Sequence, residues 1–360
     1  MTSTDSNRPA PRGNRRRQLL LWLALVVPLA LVGYWLYPRA ADRLLTLDGQ
    51  QQWTMSDAPP RRQIIWQPAH LVRLPPFPEA SQTSIVRPQL SADGSTLYFT
   101  LRNQQHDLDI YRSQLKDGVW QAPEPIPTLN SVAEDIGPAL ASDGKTLYLY
   151  SDREGGRGGF DLYRSVLGDD GWMPPVNLGS KVNSLGNECE PAIAPDGKSL
   201  YFTSNQSPNM RRERSKLKST RSGDRWTSTL RSALGFNQYN LYRARRNSTE
   251  DEWDEAKPLT SLNRSDANDG SPYVDHTGSF LYFASDRPQR NAETKNLDIY
   301  RARIRNLGHG EAENLGPGIN TPGHELEPSL SRHGFQIYFS RSVEAEYDSA
   351  TAAYDLYQST

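Results

Sequence analysis

Five times between Pro88 and Thr360 the chain repeats one phrase: a proline, a turn ending in glycine, a Leu-Tyr-Phe-like strand, then an Asp-Ile-Tyr-Arg-like strand. The copies begin at Pro88, Pro138, Pro191, Pro272 and Pro328. They are spaced by about fifty residues, stretched to about eighty after the third, and a period of that length marks the blades of a propeller. One such unit cannot bury both faces of its own small sheet, so it needs copies packed radially beside it. The fold expected is all-β, a five-bladed β-propeller. A six-bladed ring is the alternative if residues from about Leu44 to Leu74 supply more than one strand.

Within each unit the alternation is clear. Leu97 and Phe99, Leu147 and Leu149, Leu200 and Phe202, Leu281 and Phe283, and Ile337 and Phe339 share one face, while Tyr98, Tyr148, Tyr201, Tyr282 and Tyr338 take the other. Both faces are apolar, which suits a sheet held between two others. Asp93-Gly94, Asp143-Gly144, Asp196-Gly197, Thr277-Gly278 and His333-Gly334 precede these strands as hairpin turns, with glycine supplying positive φ. Trp120, Trp172 and Trp253 follow the Tyr-Arg strands in the first three units, whereas the last unit stops at Tyr357-Gln358-Ser359-Thr360. The stretch Ile64-Ile65-Trp66, with Pro68, Leu71 and Leu74, reads as the missing closing strand. It would complete the last blade and cover an open sheet edge.

The chain has one continuous apolar run, Gln18–Tyr37, long enough for a helix to cross a bilayer. Arg12, Arg15, Arg16 and Arg17 lie before it, and only Arg39 and Arg43 soon after. This bias keeps the N-terminus in the cytoplasm and exports the propeller. The organisation expected is a cytoplasmic basic tail (1–17), a single transmembrane helix (18–37), a stalk (38–62) and the propeller (63–360). A cleaved signal peptide is the rival reading, and Tyr37-Pro38-Arg39-Ala40-Ala41 is a poor cleavage site. The location expected is the cytoplasmic (inner) membrane, single-pass, with the propeller on the periplasmic side.

The Pro-x-x-Ser/Pro-x-Asp-Gly turn, the aromatic strand ending in Ser-Asp-Arg and the Asp-Ile-Tyr-Arg strand resemble the Pro-Asp type of WD-like repeat found in TolB-like propellers. The resemblance spans about three quarters of the chain. It implies a cell-envelope propeller that binds proteins. The chain departs from the usual TolB arrangement, which is a soluble, signal-cleaved protein with an α/β domain before six blades.

Two features are candidates for binding. Acids sit just ahead of the repeat prolines: Glu134 and Asp135, Glu188 and Glu190, Asp269, and Glu325 and Glu327. If the innermost strands begin there, these acids gather at one mouth of the channel and suit a cation or a basic peptide. Arg102, Arg153, Arg287 and Arg341 end the adjacent strands, so ion pairing inside each blade competes with that reading. The second feature is an insertion, 206–235, in the third unit. Arg211, Arg212, Arg214, Lys216, Lys218, Arg221, Arg225 and Arg231 face only Glu213 and Asp224. Such a segment docks on envelope protein, anionic polymer or lipid head groups, or is a solvated loop.

Other classes lack their signatures. The net charge of −1 gives no global field for polyanions, and no nucleic-acid partner is expected. The one cysteine, Cys189, excludes an internal disulfide framework, and its place in the strand suggests an inert buried thiol. No Gly-x-Ser-x-Gly elbow, His-Glu-x-x-His helix or phosphate-binding glycine loop is present. The function expected is non-enzymatic: an exported binding platform, with no cofactor. A calcium-dependent propeller hydrolase and a structural envelope tether are the alternatives, calcium being the cation that carboxylates would favour.

Overall fold

The computed structural model describes residues 66–75, 80–91, 93–103, 108–206, 238–288, 296–305, 308–331, 334, 336–342 and 354–360. The expected membrane span, the stalk and the basic residues of the insertion lie outside the described residues. Among the described residues no helix is long and apolar enough to cross a membrane.

The described chain forms five antiparallel sheets, each a blade running outward from an innermost strand. The innermost strands are Ala80–Leu90, Asp135–Leu140, Glu188–Ile193, Asp269–Val274 and His324–Leu330. Each touches the next, and the fifth touches the first, so the ring is closed. Five blades are present. The second strands carry the alternating aromatic phrase, and Leu97, Phe99, Leu147, Leu149, Leu200, Phe202, Leu281, Phe283, Ile337 and Phe339 are completely buried. The five turn glycines, Gly94, Gly144, Gly197, Gly278 and Gly334, all have positive φ, as the hairpin reading requires.

The outermost strand of every blade is two residues long and pairs in one register. Tyr111 faces Pro125, Tyr163 faces Asn177, Tyr242 faces Pro258 and Tyr300 faces Asn314. In the fifth blade Tyr357 faces Leu71 and Gln358 faces His70, so a strand from the N-terminal side completes the C-terminal sheet. Backbone bonds from Gln67 N to Thr360 O and from Val72 N to Leu356 O extend this seal. Trp66 is buried with Tyr282, Ile299 and Phe339, and Tyr357 packs against that cluster.

The blades meet along aromatic seams. Tyr98 packs edge-on to Trp172 and Tyr148 to Trp253, each with centroids 6.4 Å apart. Such contacts add roughly 0.5–1.5 kcal/mol beyond the area they bury. In the fourth blade the tryptophan position is held by His309, whose ring meets Tyr201 edge-on at 5.9 Å. Burial, with Arg243 beside it, lowers the His309 pKa to about 4, so it acts here as a neutral aromatic.

A second element recurs that the sequence reading passed over. The side chains of Asn130, Asn183, Asn263 and Asn320 each bond both the amide and the carbonyl of one third-strand residue, respectively Ile110, Leu162, Leu241 and Ile299. These clamps fix the loop from one blade to the next. They give the third-strand amides a partner and the carbonyls, which already accept from Ile126, Leu178, Leu259 and Leu315, a second one.

Candidate functional site: an axial cleft floored by a shared guanidinium

Each innermost strand breaks its register beside the repeat proline. The residue before the proline has positive φ in every blade: Arg87, Gly137, Glu190, Ser271 and Glu327, with φ between 48° and 67°. Proline already disfavours the right-handed helical region for the residue before it, and this bulge turns that residue out of the strand alternation. A left-handed conformation is unfavourable by about 1–2 kcal/mol for a residue with a Cβ, so four such positions in one ring are held by their surroundings. All five residues line a single cleft, together with their prolines and Gln89, Ala192 and Tyr273.

The floor of this cleft is one network. Arg87 is buried and its Nη2 donates to Glu190 Oε1. Its Nη1 donates to Ser271 Oγ at 3.1 Å, and its backbone amide to Glu327 Oε2 at 2.6 Å. One arginine from the first blade thus reaches the third, fourth and fifth. Glu190 Oε2 accepts from the Ser271 amide and the Thr203 hydroxyl, and Glu327 Oε2 accepts from the Ser340 hydroxyl at 2.6 Å. Arg87 Nε lies 2.9 Å from Glu327 Oε1, near enough for charge attraction. The pair lacks hydrogen-bond alignment, and both atoms are buried without a hydrogen-bond partner.

Burial alone would lower the Arg87 pKa, but Glu190 and Glu327 outweigh it and raise it, so the guanidinium is permanently charged. Burial raises the Glu327 pKa against the opposing pull of Arg87. Gly137 is required by the neighbouring Tyr150: a Cβ there would lie 2.5 Å from the ring. The guanidinium carbon of Arg87 stands 5.8 Å from the centre of that same ring.

The structure separates the sequence-predicted acids into two sets. Glu190 and Glu327 line the cleft. Asp135, Glu188, Asp269 and Glu325, two residues earlier, do not, although all four are fully buried. The sequence reading grouped them at one mouth because the innermost strands were expected to begin there; the bulge before each proline turns the two sets apart. In the earlier set, Asp135 pairs with Arg153, Asp269 with Arg287 at 2.7 Å and Glu325 with Arg341 at 2.9 Å. Each carboxylate also caps a backbone amide, from Ser131, Arg264 or Thr321. Glu134 is half-buried, and its amide donates to Asp152 at 3.1 Å. The first blade has Ile85 where the other blades carry this acid, and the Arg102 side chain lies outside the described residues.

Glu188 differs. It accepts from the Ser184 amide and from the hydroxyls of Ser184 and Ser204, and Gln206 stands where the second and fourth blades have Arg153 and Arg287. With burial opposed only by neutral donors, its pKa is pushed up to about 7. Cys189 beside it is buried and free, and burial pushes its thiol well up. Gln206, which opens the insertion, lies at the strand end where Glu188 pairs with Ser204; Arg211, Arg212, Arg214, Lys216, Lys218, Arg221, Arg225 and Arg231 lie outside the described residues. Among the described residues no group of three or more His, Cys, Asp or Glu is arranged to hold a metal ion.

No protein-family model matches the chain, and no curated protein matches it. Solved structures with a similar fold include a putative TolB from Agrobacterium tumefaciens, 18% identical with a TM-score of 0.45, covering 76% of this chain and 73% of that one. TolB from Acinetobacter baumannii is 14% identical with a TM-score of 0.42, covering 77% of this chain and 54% of that one. The catalytic domain of a GH62 α-L-arabinofuranosidase from Coprinopsis cinerea is 11% identical with a TM-score of 0.49, covering 82% and 96%. TolB proteins and a glycosidase stand side by side at this distance, so the likeness carries no inference about activity.

Proposed function

We propose that this chain is a membrane-anchored, exported binding propeller that takes its ligand in the axial cleft and performs no chemistry. The observation that carries the reading is the sharing of one guanidinium by both cleft carboxylates. A hydrolytic carboxylate pair needs one group free to donate a proton and another free to reach substrate or water. Glu190 and Glu327 instead both face Arg87, and Glu190 spends its second oxygen on Ser271 and Thr203. What remains is a proline-lined recess shared by all five innermost strands. The Gln18–Tyr37 run supports the anchor, and the arginine bias before it supports the exported side. The basic insertion adds a docking element for an anionic envelope surface, a role that rests on its charge alone.

Two measurements test this. A photo-crosslinking residue at Gln89 in the full chain, in its native membrane, is expected to trap a partner that a crosslinker at the fully exposed Val132 does not. Equal trapping at both positions, or none at Gln89, would remove the cleft from the reading. Purified protein should show no turnover of lactones, phosphoesters or aryl glycosides, with or without calcium; turnover abolished by Glu190→Gln or Glu327→Gln would establish the hydrolase instead.

A further inference from the structure

The cleft floor has an imbalance of charge. Among its lining residues the charge-bearing side chains are Arg87, Glu190 and Glu327, one basic group against two acidic ones, and all three are more than nine-tenths buried. Buried charges are normally matched, because an unmatched one loses its hydration without compensation. The groups behind the floor do not supply the balance. Tyr150 is held neutral, its pKa raised by burial, and Cys189 is held as a thiol for the same reason.

The imbalance also has a definite place. Each carboxylate oxygen can accept about two hydrogen bonds. Glu190 Oε2 receives two, from Ser271 and Thr203, and Glu327 Oε2 receives two, from Arg87 and Ser340. Glu190 Oε1 receives one, and Glu327 Oε1 receives no aligned hydrogen bond, only the charge contact with Arg87 Nε at 2.9 Å. The unfilled capacity is therefore on the Oε1 atoms, on residues that line the cleft, under walls of Pro88, Pro138, Pro191, Pro272 and Pro328 with Tyr273.

We infer that the cleft binds a single alkylammonium group carried on an apolar stem, of the kind a lysine side chain of a partner presents, with the amine at Glu327 Oε1 and Glu190 Oε1 and the methylenes along the prolines. This rests on the axial-cleft reading above and names the chemistry of its ligand. A compact ammonium with three donors suits two separated acceptors better than a planar guanidinium, whose fork is matched to the two oxygens of one carboxylate. A carboxylate-bearing ligand would add a third negative charge beside two.

The test uses the full chain and three small probes of similar stem, n-butylammonium, pentanoate and 1-pentanol, followed by calorimetry and by chemical shifts at Gln89 and Tyr273. Butylammonium is expected to bind at least about tenfold tighter than either of the others. Glu327→Gln should remove most of that preference, Glu124→Gln on an outer strand should not, and Gln89→Trp should block all three probes by filling the recess. Should Glu327→Gln fail to fold, the probe ranking in the wild type and the Gln89→Trp block still decide. Equal or tighter pentanoate binding, no ammonium binding up to roughly 0.1 M, or a preference that survives Glu327→Gln would overturn the inference. If the Gln89 crosslink persists after such a result, the cleft remains the site and only its ligand class is wrong; if both fail, the cleft reading falls too.

Discussion

Two rings of side chains lie two residues apart on the same five strands, and they close in opposite ways. In the outer ring, at the third residue before each proline, Asp135, Asp269 and Glu325 find their arginine in their own blade and cap the loop that leads into it. In the axial ring, at the residue before the proline, Arg87 closes with three other blades at once. Local closure can be repeated blade by blade and says nothing about a ligand. Closure across the axis happens once, with whatever charges five different residues happen to sum to, and that sum is where an individual chain acquires a binding preference.

The sharpest way to break the comparison is Arg87→Met. It leaves two facing carboxylates buried without a cation, and removing one partner of a buried pair typically loses about 3–5 kcal/mol. The loss should shrink in acid. Burial already raises the Glu327 pKa in the folded state, and a carboxyl so raised favours folding below its unfolded pKa and loses that advantage as pH rises through the folded value. Denaturant midpoints at low and neutral pH would check it; a small, pH-independent loss would show that Arg87 is not the strut described. By contrast, Arg287→Met acts within one blade. It strips the buried Asp269 of a cation that is itself slightly exposed and leaves the carboxylate its Arg264 amide bond, so a loss at the low end, about 3 kcal/mol, is expected, with butylammonium binding in the cleft unchanged.

Much of this fold was readable in advance, and the reason is periodicity. The hairpin phrase returns five times, so each strand, turn and the closing role of Trp66 could be placed by matching copies. What recurs with changed chemistry was harder to see. His309 replaces a tryptophan, and the Asn130, Asn183, Asn263 and Asn320 clamps sit in loops whose lengths drift. The axial network was invisible for a different reason. Arg87 precedes the first proline, where every other blade has no cation, and nothing in its spacing shows that the strand turns over at that residue. Only their own backbone reversals, at φ 59° and 62°, take Glu190 and Glu327 away from the acids beside them.

The outer ring has one exception, and it offers the gentlest probe. In the third blade Gln206 occupies the arginine position, and Glu188 is pushed up to about 7 by burial. Its unfolded value is near the ordinary 4.5, so stability should fall as pH rises between those values, by at most about 3 kcal/mol. Glu325, also at about 7, adds a slope of the same sign, which Glu188→Gln should leave in place while removing the rest. Gln206→Arg should do more than flatten the curve. In the other blades the arginine bonds the loop carbonyl of Leu129, Leu262 or Ile319 and lies over Tyr163, Tyr300 or Tyr357. The third blade has Tyr242 at the matching position, so an arginine there should pair with Glu188, pull its pKa down and add roughly 1 kcal/mol above neutral pH. Well below the unfolded pKa of about 4.5, where Glu188 is protonated in both states, the two proteins should unfold together. A variant that is less stable at every pH would show that the third blade has repacked around its glutamine and no longer keeps the socket its neighbours share.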